Sequence, residues 1–87
     1  MKRIFKYNLE VTDFQQFDLP LGAVPLTVQR QDGGICIWAE VDDTEQLSNM
    51  LSVWIVGTGN HIPRMPITAR YFGTVQLDGL TWHIYIA

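Results

Sequence analysis

The segment Gly57-Thr58-Gly59-Asn60-His61, with Arg64 shortly after it, holds the residue types best suited to binding chemistry. Glycines let backbone N–H groups approach a ligand closely, and consecutive N–H groups can form an anion-binding nest. The side chains add a hydroxyl, an amide, an imidazole and a guanidinium, which suit an anion or a polar protein epitope. The segment is neither a P-loop nor a dinucleotide fingerprint, and turn chemistry alone also explains it. We therefore predict a ligand- or partner-binding site at Thr58, Gly59, Asn60, His61 and Arg64, with a plain turn as the alternative.

The other reactive side chains do not form an enzyme site in the sequence. A structural zinc ion takes four Cys or His ligands, whereas the chain has only Cys36, His61 and His83, none at metal-ligand spacing. Cys36 lies between two isoleucines and is predicted to be a buried apolar residue, and His83 is predicted to face solvent or a partner. The adjacent acids Asp42, Asp43 and Glu45 indicate a solvated loop. We predict no catalytic residue, no metal and no cofactor.

The charge of the chain argues against non-specific binding to nucleic acid. The formal net charge is −3, from six Lys or Arg and nine Asp or Glu. Phosphate contacts need clustered cations, and here three lie at the N-terminus while the others are scattered. The three tryptophans are accordingly predicted to pack in the core or an interface rather than to stack on bases. No apolar run approaches the roughly 18 residues of a membrane helix, and the N-terminal residues lack a signal core. The expected location is the cytoplasm.

The elements that would hold such a site are β-strands. Twenty-two of the 87 residues are Val, Ile or Thr, and ten are aromatic, which favours strands over helices. Apolar residues alternate along most segments, as in a half-buried strand, and Leu26 and Val28 are predicted to share one face, alternating with Thr27 and Gln29. Residues 1–87 are thus predicted to form one all-β domain with six or seven short antiparallel strands, in a small sandwich or partly closed barrel. The predicted strands are Ile4–Leu9, Gln15–Leu19, Leu26–Arg30, Ile35–Val41, Met50–Val56, Tyr71–Leu77 and Thr81–Ile86.

Turn residues mark the connections between these strands. Asp32-Gly33-Gly34 and Asp78-Gly79 predict two tight hairpins, because glycine adopts the positive φ values such turns require. The acidic segment Asp42–Gln46 could hold one short helical turn, with Asp43 or Thr44 as its N-cap. The longest irregular connection is predicted over Gly57–Ala69, which contains two prolines and two glycines.

The run Met50–Val56 is apolar except for Ser52 and indicates a strand covered on both faces, either central in the sheet or at an interface. With only 17% charged residues, the chain has few charges to cover its surface, so we predict a homo-oligomer. On Ile35–Val41, Ile37 and Trp38 are predicted to point to opposite faces, and the Trp38 ring could belong to the core.

Four blocks of the sequence stand out: Ile4-Phe5-Lys6-Tyr7, Leu19-Pro20-Leu21-Gly22-Ala23 leading into Val28-Gln29, Cys36-Ile37-Trp38-Ala39-Glu40-Val41-Asp42, and Gly57-Thr58-Gly59 with its extension Gly73-Thr74-Val75-Gln76-Leu77. In this order they resemble an uncharacterised family of small proteins encoded by tailed phages and prophages. The resemblance covers nearly the whole chain. It implies expression in the cytoplasm of an infected bacterium but supplies no activity and no catalytic residues.

Three functions follow as hypotheses. The first is a non-enzymatic binding protein that acts on a host protein, for example by inhibiting a defence or housekeeping protein. The second is an oligomer that sequesters a small anionic nucleotide signal through the Gly57–Arg64 loop and nearby aromatic residues. The third is a minor structural component of the phage. All three are expectations from resemblance and composition.

Overall fold

A computed structural model describes all 87 residues and contains seven β-strands and no helix. Three strands form one antiparallel sheet in the order β1-β4-β3, and four form a second in the order β2-β5-β7-β6. The prediction of an antiparallel all-β sandwich is confirmed, and the sheets do not close into a barrel. The strands are β1 (Lys2–Leu9), β2 (Phe14–Pro20), β3 (Val24–Gln31), β4 (Gly34–Asp42), β5 (Ser48–Gly57), β6 (Arg70–Leu77) and β7 (Leu80–Ile86).

The core lies between the two sheets and is built from the inward residue of each alternating pair. In β4, Ile35, Ile37, Ala39 and Val41 are all almost completely buried, as their alternation predicts. Side chains from both sheets interdigitate there without a buried charge. The twelve residues of the central cluster are Leu9, Leu19, Val28, Ile35, Ile37, Leu51, Val53, Ile55, Val75, Leu77, Ile84 and Ile86.

Both predicted hairpins are present. Asp32 and Gly33 have φ values of 52° and 78°, and Asp78 and Gly79 have values of 54° and 75°. Two successive positive φ values define the type I′ turn, whose twist matches that of the strands it joins. These turns connect β3 to β4 and β6 to β7, so the Asp-Gly signals located them correctly.

Two details of the predicted elements are wrong. The acidic segment contains no helical turn: the Asp42 carboxylate accepts hydrogen bonds from the Thr44 amide, at 3.0 Å, and the Thr44 hydroxyl, at 2.7 Å. An Asp side chain that bonds the backbone two residues on stabilises a turn instead of a helix. In β3, the register shifts between Pro25 and Thr27, so Leu26 is the extra residue of a bulge and is exposed.

The strand β5 is central, which decides between the two alternatives for Met50–Val56. It pairs with β2 on one side and β7 on the other. Val53 and Ile55 point into the core, while Trp54 and Val56 lie on the outer face and are nevertheless buried. The apolar run therefore reflects a central strand covered on both faces, and it provides no argument of its own for an oligomer interface.

Candidate functional site

The predicted binding loop is a crossover that connects two parallel strands. Both β5 and β6 pair antiparallel with β7, so they run parallel to each other, and residues 58–69 must pass β7 to connect them. Asn60 and Ile62 of this loop line a depression together with outward-facing residues of β7. This first part of the loop therefore lies beside the outer face of the four-stranded sheet.

The first turn of the loop is held tightly to the strands. The Thr58 amide donates to the Thr81 carbonyl oxygen at 3.2 Å, and the Asn60 amide donates to the Gly57 carbonyl oxygen at 3.1 Å. Gly59 between them has φ +90°, which explains why a glycine occupies the position. Since the amides of Thr58 and Asn60 already donate within the chain, they are not available for the anion-binding nest that the glycines suggested.

A chain of hydroxyl and imidazole groups joins the loop to two strands. Thr58 Oγ1 lies 2.7 Å from His83 Nε2, and the Tyr71 hydroxyl lies 2.7 Å from His83 Nδ1. The Tyr71 hydroxyl also bonds the hydroxyl of Thr74. His83 was predicted to face solvent or a partner; it lies on the outer face but is half-buried and bonded at both ring nitrogens. No carboxylate is among its partners, and its two bonds connect the start of the loop to β7 and β6.

Two adjoining depressions flank the loop, and Val56, Gly57 and Asn60 line both. The first, of about 340 Å³, is lined by the polar residues Asp13, Asn60 and His61 together with Trp82 and Pro63. The second, of about 240 Å³, has a more apolar wall formed by Val56, Ile62, Tyr71 and Tyr85, with His83 among its polar groups.

An aromatic row crosses the sheet beside the second depression. Phe14, Trp54, Tyr85 and Tyr71 are direct cross-strand partners on β2, β5, β7 and β6, and we call these four residues the aromatic row. Phe14 and Trp54 have ring centroids 5.2 Å apart, and Tyr71 meets Tyr85 edge to face at 5.1 Å. Trp54 is only 8% exposed, whereas Phe14 and Tyr71 at the two ends are about half exposed.

The structure separates the five residues predicted for the site. Thr58 anchors the loop, Gly59 makes the turn, Asn60 lies between the two depressions, and His61 lines the first. Arg64 is exposed, forms no ion pair and lines neither depression. The five residues of the predicted segment therefore have different surroundings, and their role in binding stays a prediction.

The remainder of the loop is weakly attached and apolar. From His61 to Thr68, the one hydrogen bond is local, from the Ala69 amide to the Pro66 carbonyl oxygen. Ile62 is 62% exposed and Ile67 is completely exposed. The sequence interpretation missed both isoleucines. Their position among prolines in an irregular segment was a usable signal, because a loop residue does not belong to a strand face that packs into the core.

The other reactive groups lie away from this site. Cys36 is buried on the outer side of β4, and its Sγ is 3.2 Å from Asn8 Oδ1. No group of three or more His, Cys, Asp or Glu side chains is arranged to hold a metal ion. No helix of the structure could cross a membrane.

These features define a small antiparallel β-sandwich whose candidate binding groups lie on a crossover loop and on the sheet face beneath it. The chain belongs to the DUF7352 family, described as a domain of unknown function, whose family model matches residues 1–87. No curated protein and no solved structure matches the chain.

Proposed function

We propose that the chain is a non-enzymatic binding protein that recognises a protein partner through its crossover loop, residues 58–69. The observation that carries the proposal is the complete exposure of Ile67 on a loop that also exposes Ile62. Apolar anchors that insert into a partner's pocket supply much of the affinity of protein interfaces. Pro63 and Pro66 stiffen the segment and so reduce the entropy lost on binding.

The polar residues of the loop complement these apolar anchors. Arg64 lies between the two isoleucines, is exposed and has no ion-pair partner, so its guanidinium is available for a carboxylate or carbonyl group of the partner. His61 offers a second polar contact at the rim of the first depression. The partner we propose is a host protein in an infected bacterium, and that setting rests on the resemblance to phage-encoded proteins.

Sequestration of a small nucleotide is the second candidate, and the first depression, of about 340 Å³, favours it, since sites of roughly 300 Å³ or more accommodate small molecules. An anionic ligand fits the two depressions poorly. The Asp13 carboxylate lines the larger depression, no Lys or Arg lines either, and two of the loop amides are occupied. The protein partner is therefore the better-supported proposal.

Affinity capture from host lysate, comparing four forms of the protein, tests the proposal. Ile67→Ser and the double change His61→Ala/Arg64→Ala alter the loop, whereas Val24→Ser alters a half-exposed apolar residue on the other sheet. We expect one protein to bind the wild type and Val24→Ser alike and to bind each loop variant at least tenfold more weakly, about 1.4 kcal/mol, with unchanged melting temperatures.

Equal capture by all four forms would overturn the role of the loop. Mass spectrometry of small molecules released from the purified protein is the parallel arm: a nucleotide released stoichiometrically, with no protein partner, would support the second candidate instead. Recovery of the chain in purified virions would indicate a structural component.

A further inference from the structure

The sandwich has four strand edges, and three of them are protected against pairing. The edges β3 and β6 lie against each other, so closely that a Cβ built on Gly73 would be 2.6 Å from Val28 Cγ1. The edge β1 carries Lys2, Arg3 and Lys6 and no acidic residue, so a second copy of β1 paired with it would bring like charges together. By contrast, β2 has a single charged residue, Asp18, among seven, and its one proline, Pro20, is the last residue of the strand, so the missing N–H affects only the strand end.

The outward backbone groups of β2 can be identified from its neighbours in the chain. The Asp13 carbonyl oxygen accepts from the Ile55 amide at 3.3 Å, and the Leu21 amide donates to the Leu47 carbonyl oxygen at 2.9 Å. The backbone groups of the odd-numbered residues therefore face β5. Because the bonding direction alternates along an antiparallel strand, the N–H and C=O groups of Phe14, Gln16 and Asp18 point away from the sheet. The Phe14 carbonyl oxygen accepts from the Thr12 hydroxyl at 3.3 Å, which leaves the Phe14 N–H and both backbone groups of Gln16 and Asp18 for a second strand. A β-strand is the partner whose backbone matches such a row of donors and acceptors.

We propose that the chain forms a homodimer in which β2 pairs antiparallel with β2 of a second copy. The pairing joins two four-stranded sheets into one continuous eight-stranded sheet. A two-fold interface places the same strand on both sides, so the strand must be complementary to its own reversed sequence.

The sequence of β2 meets that condition when the two-fold axis passes through Phe17. All seven residues then pair, and each Phe14 faces Pro20 of the second copy. Gln16 faces Asp18 of the second copy, where the amide can donate to the carboxylate, and no two like charges face each other. Shifting the axis to Gln16 would leave Pro20 unpaired and set Phe14 against a carboxylate.

The available surface is consistent with a second copy. The accessible area is 5829 Å², against about 5,200 Å² for a folded monomer of this mass. The Cα positions extend 41 × 31 × 15 Å, and the accessible area exceeds the expected area because the molecule is flat. The two-fold axis is perpendicular to the sheet, and the dimer therefore presents both crossover loops on the same side, where a multivalent partner would bind both.

Lysine substitutions on β2 test the pairing and its register. Light scattering should give twice the 10.0 kDa mass for the wild type at micromolar concentration. Gln16→Lys places an ammonium opposite Asp18 of the second copy and should tighten the dimer about threefold to tenfold. Adding Asp18→Lys sets like charges opposite each other and should weaken it about tenfold relative to wild type. Gln29→Lys on β3 is the matched control and should change nothing.

Hydrogen exchange gives a readout that needs no variant. The amides of Phe14, Gln16 and Asp18 should be protected at high protein concentration and exchange rapidly on dilution. A wild type that is monomeric throughout the micromolar range would overturn the proposal. So would a dimer whose dissociation constant does not change with the charge substitutions on β2. A dimer that Gln16→Lys weakens would also overturn it, because the pairing would have a different register.

Discussion

At the scale of single residues, Gly57 decides how the crossover loop begins. A Cβ at this position would lie 3.0 Å from Asn60 Nδ2 and 3.3 Å from Trp82 Cζ3, closer than ordinary van der Waals contact. The glycine thus lets the Asn60 side chain and the indole ring pack against the end of β5, and the first depression takes its shape from that contact.

Gly57→Ala should lower the free energy of unfolding by about 1–2 kcal/mol, because Asn60 and the Trp82 ring must both move. Gly34→Ala is the matched control: its Cβ would meet only a backbone oxygen at 3.7 Å, and the change in stability should stay within about 0.5 kcal/mol. Urea unfolding followed by tryptophan fluorescence measures both. Equal losses in the two variants would contradict the packing role of Gly57.

The turn after β4 should make the stability of the fold depend on pH through the Asp42 carboxylate. Hydrogen bonds from the Thr44 hydroxyl and amide, and then from the N-terminal ammonium group, lower the pKa of Asp42 from 3.8 to about 2. Because the folded pKa is the lower one, the ionised carboxylate stabilises the fold above pH 3.8, and this contribution is lost as the pH falls from about 4 to about 2.

Thr44→Val removes the hydroxyl donor and should raise the pKa of Asp42 towards its ordinary value. Carboxyl NMR titration measures this directly. Thr27→Val, on an exposed face of β3, is the control and should leave the Asp42 titration where it is. An unchanged Asp42 pKa in Thr44→Val would show that the hydroxyl does not act on the carboxylate.

At the scale of elements, strand alternation predicts which face each residue occupies, but not how much covers it. Ile37 and Trp38 do point to opposite faces, with Ile37 completely buried. Trp38 lies on the outer face of the three-stranded sheet, between Lys6 and Thr27 of the neighbouring strands, and is half-buried. Trp38 is therefore not a core residue, although the sequence left a core position open for its ring.

Ile37→Ala should destabilise the protein by about 2–5 kcal/mol, since it leaves a cavity between the sheets. Trp38→Ala should cost less, about 1–2 kcal/mol, because part of the ring is already in water and no closed cavity forms. Chemical denaturation of both variants provides the comparison. A larger loss for Trp38→Ala than for Ile37→Ala would show that the outer face is covered by something beyond this chain.

At the scale of the whole molecule, the two sheets meet along β3 and β6, where Gly73 faces Val28. Gly73→Ala should destabilise by about 1–3 kcal/mol, because the added methyl overpacks a buried contact. Val28→Ala removes the clashing methyl group and opens space.

The double variant Gly73→Ala/Val28→Ala should lose less stability than the two single losses added together, by about 0.5 kcal/mol or more. A double-mutant cycle on unfolding free energies measures this coupling. If the two losses of stability were strictly additive, the side chains at positions 28 and 73 would not be in tight contact.

The sequence by itself determined the all-β class, both type I′ hairpins, the inward face of β4 and the position of the long loop. These features depend on local chemistry, since alternation has a period of two and Asp-Gly pairs accept positive φ. The helical turn at Asp42–Gln46 and the alternation through Leu26 failed for local reasons too: an Asp side chain competed for the backbone, and a bulge shifted the register of β3.

Only the tertiary structure decided what surrounds the loop. His83 and Tyr71 follow Thr58 by 25 and 13 positions, and they meet it because β7 pairs with both β5 and β6. Strand order also decided that the Thr58 amide is occupied, by the Thr81 carbonyl oxygen of β7, and that β2 is left as an edge of its sheet. Pairing between distant segments is specified by the packing of the whole core, and no local pattern in the chain records it.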